Sequence, residues 1–96
     1  MRDAALEAME MVYGRERGDL ERDKTLERAL RYQVIVIGEA ASSLDKELQD
    51  TSSAIPWKDI IGMRHIIVHG YELVDPDEVW EVVSRDIPAL LEELEC

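Results

Sequence analysis

The chain has 96 residues, 46% of them hydrophobic and 34% charged, with a formal net charge of −11 at pH 7. That size makes one domain, residues 1–96, whose single small core is expected to lean on a second copy for stability. The acidity argues against a broad nucleic-acid-binding face, which needs clustered Lys and Arg to displace phosphate counterions. No run of about 18 apolar residues could span a bilayer, the first residues lack a signal peptide's pattern, and Cys96, the sole cysteine, supports neither a disulfide framework nor a thiolate metal site; a cytoplasmic chain with no membrane partner is expected.

Taken in order, the segments read as helices. A first helix is expected from about Asp3 to Tyr13, with Ala5, Met9 and Val12 on one stripe, ending near Gly14. Residues 14–22 mix both charge signs around Gly18 and read as a connection. Leu26, Leu30, Val34, Ile37, Ala41, Leu44 and Leu48 then repeat at steps of three or four, which predicts one long helix from Asp19 or Asp23 to Leu48. Thr51, Ser52 and Ser53 with Pro56 supply caps and a first-turn proline for a third helix, stopped at His69 by Gly70. Asp75-Pro76-Asp77-Glu78 opens a fourth in the same way, with Val79, Val83, Ile87, Leu90 and Leu94 as its stripe. Pro88 lacks a backbone donor, so a kink or restart is expected near Asp86. The fold class is therefore all-α, a bundle of four or five helices.

Charge is unevenly spread. Residues 72–96 carry nine acidic side chains and one basic one, so a small site upstream can still be locally positive while this segment faces solvent or a basic partner. Trp57 and Trp80 are expected to pack the core or a dimer face, and Met9, Met11 and Met63 to fill core or seam.

The chemistry concentrates in Arg64-His65-Ile66-Ile67-Val68-His69-Gly70-Tyr71. Arginine keeps its charge and forks onto phosphate oxygens, whereas histidine gains or loses a proton near neutrality. The plainer reading is a helix end with Arg64 in a surface ion pair and His69 at the negative dipole end. The sharper one is phosphodiester cleavage. RNA carries its own nucleophile, so a base for the 2′-hydroxyl, an acid for the leaving 5′-oxygen and a cation over the phosphorane complete the set without metal or cofactor. Arg64 and His69 lie roughly 140° apart and about 7.5 Å along an ideal helix. Either the helix unwinds at Gly70, or two copies face each other across a two-fold axis and pair their imidazoles.

The order Ile37-Gly38-Glu39-Ala40, Ile55-Pro56-Trp57-Lys58-Asp59-Ile60-Ile61-Gly62-Met63-Arg64, Val68-His69-Gly70-Tyr71 and Val79-Trp80 closely resembles the HepT-like toxins of the HEPN superfamily, over about residues 25–95. The resemblance implies an up-and-down helical bundle that dimerises, a metal-independent endoribonuclease acting on RNA, and a cognate MntA-like nucleotidyltransferase antitoxin, with a possible larger hetero-oligomer. By the same resemblance Arg64 and His69 are catalytic, and Tyr71 is the acceptor on which the partner places AMP. Where the family usually has Asn after the Arg, this chain has His65, a candidate supporting residue. Glu39 is expected either to orient Arg64 or a histidine, or to be an ordinary exposed acid, while Gly38 would let another helix approach. The alternative function is a non-catalytic HEPN module that binds a nucleotide or a nucleotidyltransferase.

Overall fold

The computed structural model describes residues 1–44, 46–51 and 55–95. Among these, 83% of the chain is helical and no strand occurs. The elements are α1 (Arg2–Val12), α2 (Asp19–Arg22), α3 (Lys24–Ser42), α4 (Lys46–Thr51), α5 (Trp57–His69), a 3₁₀ turn (Tyr71–Leu73), α6 (Pro76–Glu81), a π turn (Val82–Asp86) and α7 (Ile87–Glu95). No helix is long and apolar enough to cross a membrane among the described residues.

The first helix ends where glycine permits it to. Gly14 sits at φ 74°, a left-handed conformation that costs side-chain-bearing residues energy. The inward stripe of α1 is Ala4, Ala5, Ala8 and Val12; Met9, expected on it, is only partly buried against the core. Small alanines let α1 lie close to α3. The charged connection is ordered by Asp19, whose carboxylate accepts from the Glu16 amide at 2.8 Å and from Arg22 Nη2 at 2.9 Å. The backbone donor, then the Arg22 guanidinium, holds that carboxyl below its ordinary value. Asp23 then starts α3 by accepting from the Leu26 amide at 3.1 Å, an N-cap satisfying one of the free donors of the first turn.

The long helix stops earlier than its apolar spacing suggested, at Ser42 rather than Leu48. Ser42 and Ser43 turn their hydroxyls back onto the Glu39 and Ala40 carbonyls, offering the backbone an alternative to continuing the ladder. Leu44 donates to Ala41 O in a tightened last turn. Gln49 Nε2 reaches back from α4 to the Ala41 and Leu44 carbonyls at 2.9 and 3.3 Å, so the chain ends remain satisfied. The side chains of Leu48 and Leu94, and Ser52, Ser53 and Cys96, lie outside the described residues; α5 starts at Trp57 with Pro56 at its N-cap and no side-chain cap, and Thr51, expected among the caps, ends α4 instead.

The core forms where the stripes meet. Leu30, Val34, Ile37 and Ala41 of α3, Ile60, Met63 and Ile67 of α5, and Val79, Val83, Ile87 and Leu90 of the C-terminal run are all buried. α3 packs against both α1 and α5, and the C-terminal run closes over α1 and α5. Trp57, Trp80 and Met11 pack partly buried against this cluster, and Met63 lies within it.

The C-terminal run begins as expected, Asp75 accepting from the Asp77 amide at 2.9 Å with Pro76 in the first turn. Its irregularity before Pro88 is a π turn in which the Ile87 amide donates five residues back, to Val82 O. Pro88 has no amide to donate, and the widened turn absorbs the change in hydrogen-bond register ahead of it.

Candidate active site

The middle of α5 meets α3 at its tightest point around Gly38. A methyl group there would lie 2.3 Å from Arg64 Cβ, far inside van der Waals contact, so only glycine lets the Arg64 backbone sit this close. The next residue on α3, Glu39, takes the guanidinium: Arg64 Nη2 donates to Glu39 Oε2 at 2.9 Å. Arg64 is about three-quarters covered and Glu39 mostly exposed, with side-chain exposures of 26% and 65%. The guanidinium is thus aimed by an acid at the solvent edge while its root is packed. Its Nε–H is buried and has no acceptor among the described residues.

His69 is the last residue of α5 and stays helical, so the chain does not swing it back towards Arg64. Gly70 halts the helix at φ −137° and ψ 46°, not in a left-handed cap, and its amide still donates to Ile66 O at 2.8 Å. His69 is exposed, and its ring lies 4.4 Å from that of His65, tilted by 49°. These two are one helical turn apart. The structure therefore brings Arg64 to Glu39 and His65 to His69. Among the described residues no hydrogen bond or ion pair joins Arg64 to His69.

Tyr71 begins the 3₁₀ turn and is held by a residue that sequence reasoning missed. Arg31 Nη1 donates to Tyr71 O at 2.8 Å, and the same guanidinium lies 4.3 Å from the centre of the Tyr71 ring, a cation over the electron-rich face. Arg31 is buried and paired with Glu27 one turn earlier, which offsets the cost of removing its charge from water. The Tyr71 side chain remains 48% exposed. The signal available in the sequence was Glu27 and Arg31 at i, i+4 on the flank of the Leu26, Leu30 and Val34 stripe, where an ordinary surface pair would stand further round the helix.

Fold and site together define a small all-helical domain carrying an arginine, two imidazoles and a phenol along one helix and its terminal turn. The family described as Ribonuclease HepT-like matches residues 1–96. This chain belongs to that family, of the HEPN superfamily. A Caldanaerobacter subterraneus subsp. tengcongensis protein named "Putative RNase TTE0752" is 38% identical over 82 residues, covering 85% of this chain and 73% of the relative. "Gamma-glutamylcyclotransferase and putative RNase MJ0434" of Methanocaldococcus jannaschii is 37% identical over 93 residues, 93% of this chain but 42% of that protein. "Probable ribonuclease HepT" of Thermococcus cleftensis is 32% identical over 68 residues, 71% of this chain and 62% of the relative. No solved structure matches at comparable significance.

Proposed function

We propose that this chain is a metal-independent endoribonuclease, the toxin of a toxin–antitoxin pair, that works as a homodimer and is silenced when an MntA-like nucleotidyltransferase transfers AMP to Tyr71. The observation that carries the reading is Arg64, fixed by Glu39 with a donor to spare, on the same helix as exposed His69, in a chain of the HepT-like ribonuclease family.

In this mechanism the neutral His69 imidazole takes the proton of the RNA 2′-hydroxyl. The 2′-oxygen forms a bond to phosphorus, the bond from phosphorus to the 5′-oxygen breaks, and a second imidazole protonates that oxygen. The products are a 2′,3′-cyclic phosphate and a 5′-hydroxyl end. Arg64 faces the charge that builds on the phosphorane. Within one chain Arg64 is bonded to Glu39 and no hydrogen bond joins it to His69 among the described residues, so in this reading the two motifs meet across a two-fold axis with a second copy, whose His69 is the second imidazole. Ile66 and Val68, both exposed beside His65 and His69, give that seam apolar contact.

For silencing, the Tyr71 phenol oxygen attacks the α-phosphorus of ATP held by the partner. The new O–P bond forms as pyrophosphate leaves, and the phenol proton passes to solvent. Each AMP adds one negative charge and bulk near the site, repelling an incoming RNA phosphate. His65, standing where the family usually has Asn, leaves room for the second reading, a non-catalytic module that binds a nucleotide or a nucleotidyltransferase.

Purified unmodified protein incubated with RNA in excess EDTA tests the enzyme reading. Cleavage should persist, and Arg64→Ala and His69→Ala should each lower it by roughly 10²-fold or more. Loss of cleavage in EDTA contradicts the metal-free route, and equal cleavage by the variants assigns it to a contaminant. Incubation with the partner and ATP should raise the intact mass by whole AMP units in wild type and not in Tyr71→Phe.

A further inference from the structure

Beside Tyr71 lies a cavity of about 470 Å³ between α2, the first half of α3 and the turn after α5, lined by Leu20, Glu21, Lys24, Glu27, Arg28, Arg31, Tyr71, Glu72 and Pro76. That volume lies within the range of small-molecule sites. Its charges fall into two groups. Arg31 is committed, buried, paired with Glu27 and bonded to the Tyr71 carbonyl. Lys24 and Arg28 are exposed, one turn apart on α3, and no ion pair engages either among the described residues. Leu20 and Pro76 add apolar wall, and Glu21 and Glu72 add carboxylates at the rim.

We infer that this cavity is a nucleotide seat, which receives the nucleoside monophosphate carried by Tyr71. The inference rests on the reading of Tyr71 as AMP acceptor. Lys24 and Arg28 are two exposed cations for the phosphodiester, and charge-assisted contacts of this kind are the strong ones. Glu21 and Glu72 accept from ribose hydroxyls, and Leu20 and Pro76 offer apolar surface to the base. The mixed lining fits a whole nucleotide better than a bare phosphate, for which the two acids would be repulsive. Arg31 is the positioning residue: by gripping the Tyr71 carbonyl and ring face it keeps the phenol at the cavity wall. Tyr71 follows His69 by two residues in the chain, and the cavity it lines lies between α2, the first half of α3 and the turn after α5.

The test is a two-dimensional amide NMR titration of the unmodified chain with AMP, adenosine and inorganic phosphate. AMP should shift the amides of Lys24, Arg28, Tyr71 and Glu72, with adenosine and phosphate each weaker at the same positions. The Lys24→Ser/Arg28→Ser double variant changes only exposed side chains and should keep the remaining spectrum, but should bind AMP about tenfold or more weakly. Unmoved cavity amides at about 10 mM AMP, where even a millimolar site is mostly filled, overturn the proposal. An uncleavable 2′-deoxy oligonucleotide should leave them in place; if it moves them as strongly as AMP, the cavity is a substrate groove and the assignment to Tyr71 falls. Protein modified by the partner separates the two ideas. A chain that never gains AMP mass but binds free AMP at these amides removes the acceptor reading and leaves only a free-nucleotide site, whereas an AMP-bearing chain whose cavity amides keep their unmodified positions removes the seat alone.

Discussion

Gly38 and Glu39 show how two neighbouring residues set one guanidinium. The first removes a side chain so that the Arg64 backbone can approach α3, and the second fixes the charged end at 2.9 Å. Gly38→Ala places a methyl group 2.3 Å from Arg64 Cβ, and overpacking of this kind costs about 1–3 kcal/mol. In a domain of this size the melting temperature should fall by at least about 4 °C; an unchanged melt would show that α3 and α5 can separate freely. Glu39→Ala should behave oppositely. The pair is partly exposed and is worth under about 1 kcal/mol, so the melt should barely move, while RNA cleavage drops about tenfold as Arg64 loses its aim. Equal cleavage by Glu39→Ala and wild type would reduce Glu39 to a surface acid.

Among the elements, the π turn Val82–Asp86 brings an acid into the interior. Asp86 is 3% exposed; its Oδ1 accepts from Arg85 Nε at 3.2 Å, and Oδ2 has no partner among the described residues. Burial, foremost, pushes its carboxyl above the ordinary 3.8, with Asp59 and Glu81 adding to the rise and Arg85 opposing it. The folded state therefore holds this proton to higher pH than the unfolded chain does. Stability from this group is fully present below the unfolded value and is lost as pH rises through the folded one. Asp86→Asn, which cannot ionise, should melt above wild type at neutral pH, and the gap should close as pH is lowered towards 3.8. Paired thermal melts across that range check the sign, and a gap that widens on acidification rejects it.

At the scale of the whole molecule the question is whether one chain makes a site. Within a chain Arg64 turns to α3 while His69 faces solvent beside His65. If each site uses imidazoles from both copies, wild type mixed with equal His69→Ala and allowed to exchange subunits should retain about a quarter of the activity of the same total of wild type, because only dimers of two intact chains act. Independent sites would leave about half. The acidic side chains of residues 72–96 also have a place at this scale: apart from Asp86 and Asp77, which meets Arg17 at 2.5 Å, those described are exposed. They face solvent, and all but one of the chain's Lys and Arg residues lie before residue 72.

Apolar periodicity by itself determined the all-helical class and most of the core, because a helix repeats every 3.6 residues whatever it packs against. Leu30, Val34, Ile37, Val79, Val83, Ile87 and Leu90 are buried as their spacing required, and Pro88 announced its irregularity through a missing donor. The candidate residues Arg64, His69 and Tyr71 were legible because their types and offsets lie within one short segment. Only tertiary structure decided which atoms meet. The grip of Arg31 on Tyr71 across 40 positions of sequence and the contact of Gly38 with Arg64 depend on how α3 settles against α5 and the turn that follows it. Such contacts are set by helix separation and rotation, which one helix's sequence pattern does not encode.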